Sequence, residues 1–220
     1  RADGLILLDG AIRPDLFPGT PGKRPPIVYC CEWNADSDLP SVRFDNRGGA
    51  ALAVRHLHEL GHRRIGHILG PADNVLTKER EAGVRTALCE LGLEVRDEWF
   101  FEGDYSLASG ARAAASWLAL DERPTAVTSS SDQMACGFIS GLHRAGVKVP
   151  DDVSVVGFDD IDIAEQFIPA LTTVHQPRSE IGEIAATALI ERIRGNESGK
   201  PAEVKVLGAE LLVRSSTRAV

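Results

Sequence analysis

Five consecutive residues of this 220-residue chain, His58-Glu59-Leu60-Gly61-His62, spell the pattern of a zinc protease. That chemistry needs two histidines one turn apart on a helix, both on the metal, with the glutamate as general base. Gly61 stands between the two histidines, where a helix is expected to stop. His62 then leaves on a turn beside Arg63 and Arg64, and two neighbouring cations disfavour a divalent ion. The motif therefore reads as a helix end holding no metal, and a zinc hydrolase stays only as the enzyme alternative. No Walker-type loop, Gly-x-Ser-x-Gly elbow or histidine-paired nucleophile is recognisable, so neither catalysis nor a cofactor is expected.

Arg80 and Asp159 form a second constellation, each following a predicted strand. A guanidinium is a planar fork of donors and a carboxylate accepts two hydrogens, so together they suit the vicinal hydroxyls of a sugar or a ribose. Their spacing alone equally fits a surface arginine and a loop aspartate. Trp33 and Tyr105 lie in polar loops after strands. Their rings could stack on a base or a sugar face, or simply cover the rim of a lobe. Asp45-Asn46-Arg47-Gly48-Gly49 opens a helix, but an acid leads it and the Gly spacing of a phosphate loop is missing. The four cysteines, Cys30, Cys31, Cys89 and Cys136, sit among apolar neighbours without a Cys-x-x-Cys pair, and read as buried reduced thiols.

The elements that must position these residues alternate. Short apolar runs at 5–8, 26–31, 41–44, 65–69, 125–128, 153–157 and 171–174 read as strands, as do 204–206 and 210–213 near the end, with a short extended piece at 99–101. Between them lie helical patterns at 46–60, 77–91, 106–120, 132–145 and 177–194, several stopped by Gly61, Gly92 or Gly146. Such alternation implies an α/β fold with parallel sheets, whose ligands bind beyond the carboxyl ends of the strands. Asp9, Glu32-Trp33, the loop 70–77, Ser129 to Asp132 and Asp159-Asp160 stand at those ends. The loosest stretches are 18–26 and 196–201.

Composition narrows the class. Hydrophobic content is 43% and charged content 25%, ordinary for a globular protein. No apolar run approaches the roughly 18 residues of a membrane helix, and residues 1–9 do not read as a signal peptide. A net charge of -8 repels phosphate, so this chain alone is expected to bind DNA poorly.

Several phrases, in order along the chain, resemble one family: Leu60-Gly61-His62-Arg63-Arg64-Ile65-Gly66, Gly70-Pro71, Arg80-Glu81-Ala82-Gly83, Ser131-Asp132-Gln133-Met134-Ala135, Val153-Ser154-Val155-Val156-Gly157-Phe158-Asp159-Asp160, Leu171-Thr172-Thr173-Val174-His175-Gln176-Pro177 and Val213-Arg214-Ser215-Ser216-Thr217. The ordered set is similar from end to end to the LacI/GalR regulators. Cys31-Glu32-Trp33 and Gly103-Asp104-Tyr105-Ser106 bring it nearest their cytidine- and purine-repressor branch.

The resemblance implies a fold like type I periplasmic binding proteins, two parallel-sheet lobes joined by three crossovers, with a small effector in the cleft. The implied lobes are 1–45 plus 176–203, an N-lobe lacking its first elements, and 46–175 plus 204–220. The implied effector contacts are Trp33, Asn74, Leu76, Arg80, Tyr105 and Asp159, the effector a nucleoside or sugar. Asn74 and Leu76 depart from the purine-binding pattern. A cytoplasmic homodimer is implied that meets operator DNA only through an N-terminal head outside this chain and does not touch membrane. A periplasmic sugar-binding protein of the same fold is the alternative.

Overall fold

The computed structural model describes residues 2–17, 25–34, 36–195 and 203–220. Of the loose stretches expected at 18–26 and 196–201, only residues 25 and 26 fall within these. In chain order the elements are β1 (Leu5–Leu7), β2 (Ile27–Cys30), β3 (Ser41–Phe44), α1 (Asn46–Glu59), β4 (Ile65–Ile68), α2 (Val75–Glu90), β5 (Phe100–Phe101), α3 (Leu107–Leu118), β6 (Ala126–Ser129), α4 (Asp132–Arg144), β7 (Ser154–Asp159), α5 (Ile163–Gln166), β8 (Thr172–His175), α6 (Arg178–Ile193), β9 (Val204–Leu207) and β10 (Glu210–Leu212). The chain divides into two compact units, Arg1–Asp45 with Pro177–Gly208, and Asn46–Gln176 with Ala209–Val220.

The first unit is a parallel sheet in the order β1-β2-β3-β9, with α6 packed against β1, β2 and β3. All four residues of β2 are buried, as a central parallel strand requires. Leu7, Ile27 and Tyr29 form its small core, joined by Leu5, Ile12, Phe17, Trp33 and Leu39. β9 corrects the expected boundary. Residues 204–207 were assigned to the second lobe, but they pair with β3 from Ser41↔Val204 to Phe44↔Leu207 and so belong to the first unit. The chain passes to the second unit between Gly208 and Ala209. A four-residue strand carries no mark of which sheet edge it joins, and its hydrogen-bonding partner decides.

The second unit holds a six-stranded sheet, β10-β8-β7-β6-β4-β5, parallel except for β10, which runs antiparallel to β8. β4 and β6 are buried at every position, and Val127, Phe138, Leu142 and Leu171 are among the core residues. α3 packs on α4, and α1 packs on α2. α1 ends at Glu59, and Gly61 adopts φ +96. His62 is 1% exposed, with Nδ1 2.9 Å from Thr125 Oγ1 and Nε2 3.1 Å from both Ser154 Oγ and the Arg218 carbonyl oxygen. Nδ1 thus ties His62 to the body of the unit and Nε2 fastens the 209–220 segment through Arg218, and His62 stands beyond the helix that carries His58.

Candidate functional site

β4, β5, β6, β7 and β8 are parallel, so their carboxyl ends share one edge of the second unit's sheet. The loops leaving that edge carry most of the expected site. Arg80 lies on α2 and is 2% exposed. Its Nε donates to Asn46 Oδ1 at 2.9 Å, its Nη1 donates to the Ser130 carbonyl, and Nη1 stands 3.4 Å from Asp159 Oδ1. The guanidinium lies over the Phe158 ring, 3.8 Å from its centroid. A fork held on three sides and stacked on an aromatic face has a fixed direction, which a lysine could not reproduce. Asn46, Ser130 and Phe158 were not among the expected site residues. Asn46 had a visible signal as the first residue of a helix, whereas a backbone carbonyl partner leaves none in sequence.

Asp159 ends β7 and Asp160 follows it, with φ of 109 and 55, conformations that non-glycine residues seldom adopt. The two carboxylates diverge in role. Asp159 faces Arg80, whereas Asp160 takes Arg214 Nη2 and His175 Nδ1, each at 2.8 Å. The turn is held from below by Asp132, the first residue of α4. Asp132 is wholly buried and accepts from the Thr173 hydroxyl and, at 2.9 Å, from the Ile161 amide. A Cβ at Gly157 would meet Asp132 Oδ1 at 2.1 Å, so glycine is required where this carboxyl crosses β7. Burial, with the charges of Asp159 and Asp160 adding, pushes the Asp132 carboxyl up to about 7 against its hydrogen bonds from Thr173 and Ile161.

Asn74 and Tyr105 also come together. Asn74 caps α2, its Oδ1 accepting from the amides of Leu76 at 2.8 Å and Thr77 at 3.3 Å. This cap starts the helix at Val75 rather than at the expected Thr77. The Tyr105 hydroxyl lies 2.9 Å from Thr77 Oγ1 and 3.5 Å from Asn74 Oδ1. Tyr105 and Leu76 are half-buried, and Tyr105 has φ 65. A Cβ on Gly70 would collide with Thr77 Oγ1 and the Tyr105 ring. Trp33 belongs to the first unit, where the Arg43 guanidinium lies 4.3 Å from its ring centroid. The structure therefore pairs Arg80 with Asp159 and Asn74 with Tyr105.

Behind Arg80 lies His67, which sequence reasoning passed over as one residue of a strand. It is fully buried on β4, with Nδ1 2.8 Å from Thr128 Oγ1 and Nε2 2.9 Å from Ser130 Oγ. Thr128 directs its own hydroxyl to the Gly66 carbonyl, which assigns the proton to Nδ1 and leaves Nε2 to accept from Ser130. Burial, reinforced by the charges of Arg80 and Arg85, pushes the His67 imidazole down to about 3. The chain His67–Ser130–Arg80 thus links a neutral core histidine to the exposed carboxyl edge.

The cysteines depart from the expectation of four buried thiols. Cys30 and Cys136 are buried, Cys31 is half-buried and Cys89 is exposed. α2 ends at Glu90, and Cys89 lies on its outer face despite apolar neighbours in sequence.

This architecture and site define a class. The family described as periplasmic binding protein-like domain matches residues 54–217, and the chain belongs to it. Within that class the chain is homologous to LacI-family repressors. It is 38% identical over 220 residues to the HTH-type transcriptional repressor CytR of Escherichia coli K12, covering 100% of this chain and 64% of that protein. It is 35% identical over 219 residues to the HTH-type transcriptional repressor PurR of Photobacterium profundum, covering 99% of this chain and 65% of that protein. Among solved structures, a LacI family transcriptional regulator from Enterococcus faecium with bound ribose superposes with a TM-score of 0.89 at 29% identity, over 99% of this chain and 80% of that one. The chain spans less than two thirds of the length of the two repressors.

Proposed function

We propose that these residues form the effector-sensing core of a LacI-type transcription regulator, non-catalytic and cytoplasmic, taking a nucleoside or sugar as its signal. The observation that carries this is the Arg80–Asp159 pair, a fixed donor fork 3.4 Å from a carboxylate whose side chain remains 23% exposed at the carboxyl edge of a parallel sheet. A vicinal diol can accept from the one and donate to the other. Tyr105, Asn74 and Leu76 stand at the same edge, and Trp33 is assigned from the sequence resemblance. The ribose bound to the Enterococcus faecium regulator supports a ribose-bearing effector over a non-sugar one. In the whole regulator the operator is read by a head outside these residues, and the effector acts through its different affinity for two conformations. The repressor relatives favour this reading over a periplasmic sugar-binding protein of the same fold.

Calorimetric titration with cytidine, adenosine, ribose and their 2′-deoxy counterparts tests it. Saturable one-to-one binding is expected for a ribose-bearing compound, weakened roughly tenfold or more by loss of the 2′-hydroxyl. A panel in which nothing binds removes the reading.

The proposed homodimer has a candidate contact in the loop after α5, where Ile168 is 90% exposed beside Phe167 and Pro169. Ile168→Asp is expected to shift sedimentation equilibrium toward monomer. An unchanged dimer mass would place the interface elsewhere.

A further inference from the structure

Cys30 and Cys31 are neighbours in sequence, and in a regular strand neighbouring side chains point to opposite faces. Here they do not. β2 ends at Cys30, Cys31 turns into the left-handed region at φ 69, and the two Sγ atoms come to 4.0 Å. The turn is fixed from both sides, the Cys31 amide donating to the Val42 carbonyl at 2.9 Å and the Glu32 amide to the Cys30 carbonyl at 3.0 Å. Val42 lies on β3, so the pair is set by the sheet rather than by a loop alone.

The spacing selects the chemistry. Adjacent Cα atoms across a trans peptide are about 3.8 Å apart, shorter than the roughly 4.4–6.8 Å that a disulfide spans, so a direct bond between these sulfurs is disfavoured. A single bridging atom is not. Two thiolate bonds of about 2.3 Å, the length found for zinc, meeting at a tetrahedral angle span about 3.8 Å, close to the observed separation. Zinc itself asks for four ligands. Among the described residues no group of three or more histidines, cysteines, aspartates or glutamates is placed to hold a metal ion. A trivalent organoarsenical needs two thiols and brings its third substituent with it.

We propose that Cys30 and Cys31 form a vicinal dithiol site for trivalent organoarsenicals. In the reaction the As=O bond is replaced by two As–S bonds. The two thiol protons leave with the oxygen as water, and nothing is oxidised or reduced. The Cys30 thiol is primed for this, because its hydrogen bond with Cys31 brings it down to about 7 against the effect of burial. Cys136 is the opposite case, buried and pushed up to about 11, and Cys89 stands exposed without a neighbouring cysteine in sequence. The proposal does not rest on the effector reading, since it uses none of Trp33, Arg80 and Asp159 and its test adds no effector.

The test is intact-mass measurement after one equivalent of phenylarsine oxide, followed by challenge with 2-mercaptoethanol and then 2,3-dimercaptopropanol. Wild type is expected to keep one arsenical against the monothiol and release it to the dithiol. Cys31→Ser and Cys31→Ala, at a half-buried position where folding is little disturbed, should release it at about 100-fold lower monothiol concentration, the usual gain from a second tethered contact. Cys89→Ser should behave as wild type. Release from wild type as readily as from the Cys31 variants overturns the proposal. So does retention by the Cys31 variants, or loss of retention in Cys89→Ser.

Discussion

Alanine at Arg80 is expected to weaken effector binding about 10- to 150-fold, the loss of a charge-assisted contact of roughly 1.5–3 kcal/mol. Asp159→Ala should lose a similar amount. The double variant should lose less than the sum, because both groups hold one ligand. The structure adds a cost that the sequence did not suggest. Arg80 is 2% exposed and serves Asn46, the Ser130 carbonyl and the Phe158 face. Its truncation leaves those partners unmatched and should cost about 3 kcal/mol of stability, the lower end for breaking a buried pair because Asp159 is partly solvated. Asp159→Ala should cost less. Calorimetry with the panel compound that wild type binds reads the affinity, and denaturant unfolding reads the stability. If both single variants bind that compound as tightly as wild type, the pocket lies elsewhere.

The second large effect is on acid stability. An unfolded histidine titrates near 6.5, while the folded His67 imidazole resists protonation down to about 3. Its contribution is therefore fully present above about 6.5 and is lost as the pH falls toward about 3. His67→Gln cannot take up that proton. At pH 7.5 the variant should be less stable than wild type by about 1–3 kcal/mol, from the hydrogen bonds lost by Thr128 and Ser130. At pH 5 the gap should narrow by about 2 kcal/mol, at about 1.36 kcal/mol for each unit below 6.5. Asp132 acts with the opposite sign, since a carboxyl raised to about 7 favours the fold as the pH falls from about 7 toward its ordinary value. Both proteins carry Asp132, so the difference between them isolates His67. Parallel denaturation midpoints for the two proteins from pH 7.5 to 5 would contradict this account.

What could be read from the sequence was what local chemistry writes there. Gly61 marked the end of α1 and so disarmed the His58–His62 pattern. The apolar runs of β4, β6 and β7 announced buried parallel strands. Arg80 and Asp159 stood out as a charged pair near strand ends. What stayed hidden was set by partners far away in the chain. β9 is Val204-Lys205-Val206-Leu207, equally able to join either sheet, and only its pairing with β3 decides. The resemblance implied Asn74 as an effector contact, and its Oδ1 also caps α2, a role that the sequence reading did not assign to it. His67 looked like strand filler because its two hydroxyl partners, Thr128 and Ser130, are 61 and 63 residues away. The closeness of Cys30 and Cys31 depends on one backbone angle that the side chains do not reveal.

The fastening of residues 209–220 has a bearing on how the protein is made. A ribosome delivers the chain in order, so the body formed by residues 46–176 emerges before α6 and β9, and its closing segment comes only after them. Until then His62 lacks the Arg218 carbonyl, the Thr172 amide lacks Ser216 Oγ, and β8 lacks its neighbour β10. The nascent second unit therefore waits with an open strand edge while the first unit's last strand is synthesised. Synthesis halted after Gly208 would supply all of α1 to α6 and still leave the larger unit without β10 and its fastening.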